Sequence, residues 1–283
     1  MDKTDIEKAF IRAGLGQRVR EIDTLVRSSI RLLTAPVEES SLGPGTSKIG
    51  GHPDLPARVN WPELKGQPQS FLAQIQLADV QNLESSGLLP RQGMLWFFYD
   101  ASQETFGEQL GDREGWQILF SDNSSAALQR ATTPAQLPAA SLFQACALTF
   151  RSELTLALQP DLELPNAHWS DEEQQAYDQV LEELRDPQDR ALPHHRLLGY
   201  PDTIQDDMRQ QCQLVSNGIT DADDPRATTM QKDAMDWLLL LQIDTDSGAK
   251  MRWANNGMLY YWIKQADLQA HHFDQSWLVL QSE

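Results

Sequence analysis

Apolar residues near the start of the chain recur every three or four positions, a spacing that places them on one side of a helix. The pattern covers residues 4–33 and consists of Ile6, Phe10, Ile11, Val19, Ile22, Leu25, Val26, Ile30 and Leu33. Gly14 and Gly16 interrupt it, so it predicts two helices rather than one. Thr4 followed three residues later by Glu7 has the spacing of a capping box. Residues 1–33 are therefore expected to form a helical segment.

After this segment the apolar residues come in short runs bounded by turn residues. The lengths of these runs and their aromatic and β-branched content predict strands at residues 71–77, 94–99, 116–120, 145–150, 154–158, 237–243, 257–263 and 277–281. Residues 34–62 are rich in Pro, Gly and Ser, which predicts loops with short extended stretches. Residues 170–185 predict an amphipathic helix that begins with a capping box of Ser170 and Glu173. A further helix is predicted at residues 204–213.

Three short motifs occur twice, in the same order, in the two halves of the chain. Residues 48–54 (KIGGHPD) correspond to 196–202 (RLLGYPD), 71–75 (FLAQI) to 239–243 (LLLQI), and 93–97 (GMLWF) to 257–261 (GMLYY). Three ordered matches indicate an internal duplication. We therefore expect an α+β fold of two mostly antiparallel β-rich repeats, residues 34–150 and 151–283, with helical insertions and the N-terminal helical segment 1–33. The repeats are expected to form one compact unit in which the aromatic strands, 95–99 and 259–262, pack together.

The chain is strongly acidic. Its 283 residues include 23 Lys and Arg against 41 Asp and Glu, which gives a formal net charge of −18. Such a charge disfavours nucleic acids and anionic membranes as partners and leaves a basic protein open. Residues 1–33 hold seven basic and five acidic side chains, residues 34–150 hold six and twelve, and residues 151–283 hold ten and twenty-four. The acidity therefore belongs mainly to the second half.

Two stretches concentrate this acidity, residues 161–189 and residues 221–224. Acidic runs often form only a solvated surface, and that interpretation stays open beside a docking surface for a basic protein. If the stretches bind a partner, the contact candidates are Asp171, Glu172, Asp178, Glu182, Asp221, Asp223 and Asp224. Basic residues of the N-terminal segment, among them Arg12 and Arg18, suit either solvent or the protein's own acidic half.

No sequence motif predicts a catalytic, metal or cofactor site, and none of the three is expected. Cys146 and Cys212 lack the spacing of a zinc site and are too few for a disulfide framework. Residues 244–246 (DTD) begin like a calcium loop, but Ala249 and Asn255 stand where such a loop has Gly and Glu. A polar hairpin whose carboxylates accept backbone N–H groups is expected instead. The chain shows no signal-peptide pattern and no membrane-spanning apolar run, so we expect a protein of the reducing cytoplasm.

Several motifs resemble the YwqG-like family of bacterial proteins of unassigned function. In the second half they are residues 195–205 (HRLLGYPDTIQ), 212–218 (CQLVSNG), 240–246 (LLQIDTD) and 273–281 (FDQSWLVLQ). In the first half they are residues 50–56 (GGHPDLP), 61–62 (WP) and 71–75 (FLAQI). The resemblance runs from Ser47 to the C-terminus and implies a duplicated α+β fold. Its members are often encoded beside secreted toxins, which implies an immunity role. Where the family has Trp-Gly-Asp before the last aromatic strand, this chain has Trp253-Ala254-Asn255.

The acidic second half, the lack of a catalytic motif and the resemblance together predict a non-enzymatic intracellular binding protein. In its sharpest form this is an immunity-type protein that neutralises a basic toxin or enzyme through an acidic surface. The alternative is a small-molecule binder or an enzyme with a site at the junction of the two repeats. That crevice would be formed by His52, Trp61, Tyr200, Asp244 and Trp253. A deep junction pocket with convergent polar groups would favour the alternative, and a filled junction beside an acidic face would favour protein binding.

Overall fold

The computed structural model describes residues 2–122, 127–185, 191–221 and 223–283. Its α-helices are α1 (Lys3–Arg12), α2 (Ile22–Leu25), α3 (Leu77–Val80), α4 (Pro160–Glu163), α5 (Asp171–Leu184), α6 (Arg209–Val215), α7 (Ala227–Met230) and α8 (Gln265–Gln269). Its strands are β1 (Val26–Pro36), β2 (Lys48–Ile49), β3 (Asp54–Pro56), β4 (Glu63–Leu64), β5 (Gln67–Pro68), β6 (Ser70–Gln76), β7 (Met94–Tyr99), β8 (Trp116–Ser121), β9 (Leu128–Arg130), β10 (Cys146–Leu156), β11 (Arg196–Leu197), β12 (Trp237–Asp244), β13 (Met258–Lys264) and β14 (Trp277–Gln281).

Ten of these strands form one antiparallel sheet in the order β14-β13-β12-β11-β1-β10-β2-β6-β7-β8. Its middle is the pair β1 and β10, which run side by side for eleven residues, from Val26 opposite Leu156 to Pro36 opposite Cys146. Four strands follow on either side of this pair. A mixed helix and sheet fold with a large antiparallel sheet is thus confirmed. The boundaries expected after residues 33 and 150 both fall within the central strands.

The prediction of helix throughout residues 4–33 is wrong beyond Leu25, because Val26–Pro36 forms the central strand β1. Ile30 and Leu32 of this strand lie in the main apolar core. Their alternation with polar residues fits a strand as well as the longer apolar spacing fits a helix. The strand also pairs with β10 on one side and β11 on the other, which satisfies its backbone groups. Pairing between distant segments therefore outweighs the local pattern.

The sheet curls until its two aromatic strands, β7 and β13, face each other across the core. The ring centroids of Phe97 and Tyr261 lie 5.3 Å apart, and the Tyr261 hydroxyl donates to the Phe98 carbonyl at 2.9 Å. The edge strands β8 and β14 also meet, since the rings of Trp116 and Trp277 lie 5.0 Å apart. The expected packing of the aromatic strands is confirmed, and the sheet is nearly closed, which protects both of its edges.

Most predicted strands occur close to their expected positions, and β14 has the expected bounds. The prediction of two strands at residues 145–150 and 154–158 is wrong, because they are one strand. Pairing with β1 continues through the polar residues 151–153, which the apolar pattern had treated as a break. Runs of apolar residues therefore located most strands after β1 but divided β10 in two.

The predicted helix at residues 170–185 is α5, and its capping box of Ser170 and Glu173 is confirmed. The N-terminal capping box is wrong as predicted, because Asp2 caps α1 and Asp5 completes the box. The helix predicted from residue 204 begins only at Arg209. The sequence thus predicts that a polar side chain caps each of these helices, but it does not decide between neighbouring candidates.

Helices α1 and α5 pack together over one end of the central strands. The rings of Phe10 and Tyr177 lie 5.7 Å apart in an apolar cluster shared by the two helices. The Tyr177 hydroxyl donates to the Ala157 carbonyl, directly after β10, at 2.7 Å. This contact ties α5 to the middle of the sheet, so its acidic outer side faces solvent.

Candidate docking surface

Four of the seven predicted partner-binding residues lie on α5, and all four are exposed. They are Asp171, Glu172, Asp178 and Glu182. The first two stand in the first turn of the helix, where negative charge interacts favourably with the helix dipole. Hydrogen bonds from its own backbone N–H and from Ser170 lower the pKa of Glu172. Asp171 and Glu172 therefore have a stabilising role within α5 itself.

Other carboxylates of α5 are bonded to the N-terminal segment. Glu173 forms an ion pair with Arg18 at 2.8 Å, and this bonding holds the pKa of Glu173 down to about 2. Arg12 forms an ion pair with Glu183. The expectation that N-terminal cations meet the protein's own acidic half is confirmed for these arginines, so part of the acidic charge is neutralised internally. The acids of residues 186–190 lie outside the described residues.

The remaining three candidates, Asp221, Asp223 and Asp224, belong to a turn that leads into α7. The Asp223 backbone N–H donates to the Asp221 carboxylate at 2.9 Å. Arg226 pairs with Asp224 at 2.7 Å, and this bonding lowers the pKa of Asp224 to about 2. Asp224 is therefore engaged within the turn, whereas Asp221 and Asp223 are exposed.

A groove of about 240 Å³ lies beside Asp221. Its lining residues are Glu108, Gln211, Leu214, Val215, Ile219, Thr220 and Asp221. Leu110, which is 52% exposed, leans on Gly218 next to this lining, at 3.6 Å from where a Cβ would stand. Phe106, on the same loop, is 40% exposed. An exposed apolar patch that is rimmed by polar residues marks an interaction site. The lining residues together with Phe106, Leu110 and Asp223 are termed the acidic groove.

The loop that carries the exposed apolar pair is held against the second half of the chain at Gly107. The Gly107 carbonyl accepts from Trp277 Nε1 at 3.0 Å and from Gln211 Nε2 at 3.2 Å. Gly107 has φ +79°, and a Cβ there would stand 1.9 Å from the Leu278 carbonyl oxygen. Only glycine permits this approach. The Asp112 carboxylate also accepts the Gly107 N–H at 2.9 Å, which closes the loop on itself.

Sequence patterns identified Asp221 and Asp223 but missed the residues that complete the groove. Phe106, Glu108 and Leu110 lie more than a hundred positions earlier, and no local motif links the two segments. The available signal was two large apolar residues in the otherwise polar stretch 101–115. Folding of the first half onto α6 brings them together, and this contact depends on the closed sheet.

The five predicted crevice residues lie in different parts of the structure. Trp253 is fully buried in the main core, and its indole N–H donates to the Asp244 carbonyl at 3.1 Å. Tyr200 belongs to the cluster under α1 and α5, where its hydroxyl donates to the Thr24 carbonyl at 3.0 Å. Trp61 packs in a third cluster. The structure thus brings Asp244 and Trp253 together and places Tyr200 and Trp61 elsewhere.

His52, the fifth crevice residue, is held between two side chains. Its Nδ1 lies 2.5 Å from Glu39 Oε2, and its Nε2 lies 2.6 Å from Thr133 Oγ1. Around Trp253 the core between the aromatic strands is filled, since the rings of Tyr99 and Phe143 lie 5.9 and 5.4 Å from it. A filled aromatic junction favours protein binding over a ligand at that place.

The carboxylates of the calcium-like segment accept protein hydrogen bonds. Asp246 accepts the Gly248 N–H at 2.7 Å and the Thr34 hydroxyl at 2.8 Å, and Asp244 accepts the His194 N–H at 2.8 Å. Burial raises the pKa of Asp244. The expected backbone N–H acceptance is confirmed for both. Among the residues described, no group of three His, Cys, Asp or Glu side chains could hold a metal ion.

Within the described ranges, every helix is too short or too polar to span a bilayer.

Comparisons with known proteins place the chain in a family. A search of curated proteins gave no match. A family model described as "Domain of unknown function (DUF1963)" matches residues 47–282, the whole of the chain that carries the repeated motifs. The chain therefore belongs to the DUF1963 family.

Proposed function

We propose that the protein is a non-enzymatic binding protein that recognises a basic segment of another protein through the acidic groove. The observation that carries this proposal is the exposed Leu110, which leans on Gly218 next to the groove that the exposed Asp221 lines. The apolar side chain supplies area to bury on binding, and the carboxylates supply charge complementarity. The filled junction around Trp253 supports the same conclusion.

The chemistry of the groove defines its partner. An amphipathic segment with one or two apolar side chains between Lys or Arg residues fits a groove of about 240 Å³ with acids on its rim. The net charge of −18 accelerates the encounter with such a partner. Because mobile ions screen charge over ~8 Å at physiological salt, the association rate is expected to fall as salt is added.

In its sharpest form the proposal makes this an immunity-type protein that neutralises a basic toxin or enzyme in the cytoplasm. The resemblance to the YwqG-like family supports it, and so does the excess of twenty-four acidic over ten basic residues after residue 150. We take the YwqG-like resemblance and the DUF1963 match to describe one relationship.

The outer side of α5 is the weaker contact candidate. Asp171, Glu172 and Asp178 are exposed, but the first two stabilise the start of the helix. Glu182 pairs with Arg185 at 2.7 Å. A basic partner would compete there with Arg185 and with the start of the helix for these carboxylates. Asp221 and Asp223 instead belong to the acidic groove, which also has an apolar lining.

We also propose that the two halves arose by duplication, as the repeated motifs predict. Two hydrogen-bonded pairs support this. Asp54 donates its backbone N–H to Gln74 at 2.8 Å, and its carboxylate accepts from the same amide at 2.7 Å. Asp202 and Gln242 make the same two hydrogen bonds at 2.9 and 3.2 Å. Each pair involves corresponding positions of the repeated motifs.

Co-expression with the products of adjacent genes tests the proposal. Wild type is compared with the Asp221→Asn, Asp223→Asn double variant and with a control, Glu63→Gln, Glu104→Gln, which carries the same charge change at exposed sites outside the groove. We expect wild type and control to protect cells and to capture one basic product, and the groove variant to do neither. If no adjacent product is neutralised or captured, the immunity form fails. If groove variant and control lose binding equally, the groove is not the contact.

A further inference from the structure

The turn at residues 50–54 (GGHPD) carries the central member of a chain of three hydrogen-bonded side chains. Glu39 Oε2 lies 2.5 Å from Nδ1 of His52, and Nε2 of His52 lies 2.6 Å from Oγ1 of Thr133. A carboxylate, an imidazole and a hydroxyl in this order are the groups that activate a hydroxyl as a nucleophile. The three residues are termed the Thr133 relay.

The small sheet of β3 and β9 places His52 beside Thr133. The two strands pair in antiparallel register, and just beyond them the Pro53 carbonyl accepts the Ala131 N–H at 2.9 Å. The segment before β3 and the segment after β9 therefore run side by side. His52 precedes this last backbone contact and Thr133 follows it, so backbone pairing brings the two side chains together.

Glu39 reaches this turn because residue 51 is glycine. Gly51 has φ +68°, and a Cβ there would stand 2.4 Å from Glu39 Oε1. The same oxygen accepts the His52 backbone N–H at 2.6 Å and forms an ion pair with Lys48 at 3.2 Å. Both carboxylate oxygens of Glu39 are therefore bonded, so the relay is held in place before any reagent arrives.

The hydrogen bonds of the relay assign the positions of its protons. Burial alone would raise the pKa of Glu39, but hydrogen bonds from His52 lower it, so Glu39 is ionised at neutral pH. An ionised carboxylate only accepts hydrogen bonds, so Nδ1 of His52 carries the proton that faces it. In the neutral imidazole, Nε2 then has the free electron pair and accepts the Thr133 hydroxyl. The His52 side chain is 28% exposed and Thr133 is half-buried, so a small reagent can reach both.

We propose that Thr133 is an acylation site that accepts an acyl group from an activated ester. The Thr133 oxygen attacks the ester carbonyl carbon and forms the new ester bond, while its proton passes to Nε2 of His52. The carbon–oxygen bond to the leaving alcohol breaks, and the alcohol takes the electron pair and then the proton from His52. The products are a threonyl ester and an alcohol, so the step needs no further reactant. Glu39 is a positioning residue that holds the imidazole in the required tautomer.

Incubation of the full chain with p-nitrophenyl acetate tests the site. We expect a rapid release of about one equivalent of nitrophenolate per chain, and peptide mapping by mass spectrometry should place an acetyl group on Thr133. Further release that requires Thr133 would support the nucleophile and would contradict the non-enzymatic part of the proposed function. The site is independent of the acidic groove, since none of the three relay residues lines it.

Matched variants, each shown to be folded by thermal unfolding, assign the roles. Thr133→Val is expected to abolish the adduct and Thr133→Ser to keep it, and Thr132→Val, which removes the exposed neighbouring hydroxyl, is expected to react like wild type. His52→Gln should slow acylation about a hundredfold or more. Glu39→Gln should lower the maximal acylation rate about tenfold without changing the ester concentration at half-maximal rate, which separates positioning from binding.

The proposal is overturned if folded wild type acquires no acetyl group at Thr133, if Thr133→Val reacts like Thr132→Val, or if His52→Gln reacts as fast as wild type.

Discussion

Gln74 holds Asp54 at both ends, since its side-chain amide accepts the Asp54 backbone N–H at 2.8 Å and donates to the Asp54 carboxylate at 2.7 Å. Both side chains are fully buried, and Lys48 adds an ion pair to Asp54 at 3.2 Å. Gln242 holds Asp202 in the same way in the second half. Each glutamine bonds the turn that follows a short strand, β2 or β11, to the longer strand beside it, β6 or β12. The two groups of four strands on either side of β1 and β10 therefore depend on these contacts.

Replacing Gln74 with Leu is expected to lower the free energy of unfolding by about 3 kcal/mol, because the variant leaves a buried N–H and part of a buried carboxylate without a partner. Urea unfolding measures the change. Gln67→Leu, at an exposed position of β5, is the control and should change stability by less than about 0.5 kcal/mol. Equal losses in the two variants would show that the buried amide contributes nothing specific.

The free energy of unfolding is expected to depend on pH through Asp246. Burial alone would raise the pKa of Asp246, but hydrogen bonds from His195 and Thr34 bring it down to about 2. An unfolded Asp titrates near 3.9, so this stabilisation is complete above about pH 5 and is lost as the pH falls toward 2. The stability difference between wild type and Asp246→Asn should narrow by about 1 kcal/mol between about pH 6 and about pH 3. Urea unfolding at both pH values checks this, and a constant difference would contradict it.

The ion pair of Arg18 and Glu173 is expected to tie the N-terminal segment to α5. A double-mutant cycle with Arg18→Gln and Glu173→Gln should give a coupling energy of about 1 kcal/mol, because both side chains are largely buried and the guanidinium contacts both carboxylate oxygens. Thermal or urea unfolding provides the four stabilities. Arg20→Gln, at an exposed position, replaces Arg18→Gln in a control cycle that should give no coupling. A coupling energy of zero in the first cycle would contradict a stabilising contact between the N-terminal segment and α5.

Gly107 is expected to be required for the acidic groove. Gly107→Ala places a Cβ at 1.9 Å from the Leu278 carbonyl oxygen at φ +79°, so the loop must move away from β14. Unfolding free energy should fall by about 2 kcal/mol or more, and partner binding should weaken with it. Gly111→Ala on the same loop is the control, since nothing lies within 4 Å of its Cβ position. If Gly107→Ala and Gly111→Ala lower the unfolding free energy equally, the close approach of Gly107 to β14 is not needed.

Much of the fold was predictable because it depends on local patterns. Apolar runs located strands such as β12 and β14, and the Ser170 and Glu173 pair located the start of α5. The central strand β1 was not predictable in this way, because its apolar residues fit both a helical and an alternating pattern. Its pairing with β10, more than a hundred residues away, decides between them.

The candidate sites were less predictable than the fold. The turn at Asp221 and Asp223 was visible as a run of acids, but Leu110 joins it only through the closed sheet. The placement of Arg31 directly opposite Arg151 was hidden for the same reason. Arg31 and Arg151 occur singly in sequence, and only the register of β1 against β10 makes them neighbours.

Fluorescence anisotropy of a labelled amphipathic helical peptide of Lys and Leu, titrated with the protein at physiological salt, tests the acidic groove most directly. A peptide of equal charge with Ser in place of Leu is the probe control, and the Glu63→Gln, Glu104→Gln variant is the protein control. We expect wild type and the protein control to bind the Lys and Leu peptide more tightly than the Ser peptide. Leu110→Ser and the Asp221→Asn, Asp223→Asn variant should each weaken that binding about tenfold. Equal affinities for both peptides, or equal losses in groove and control variants, would mean that binding follows net charge alone and would contradict the proposed docking surface.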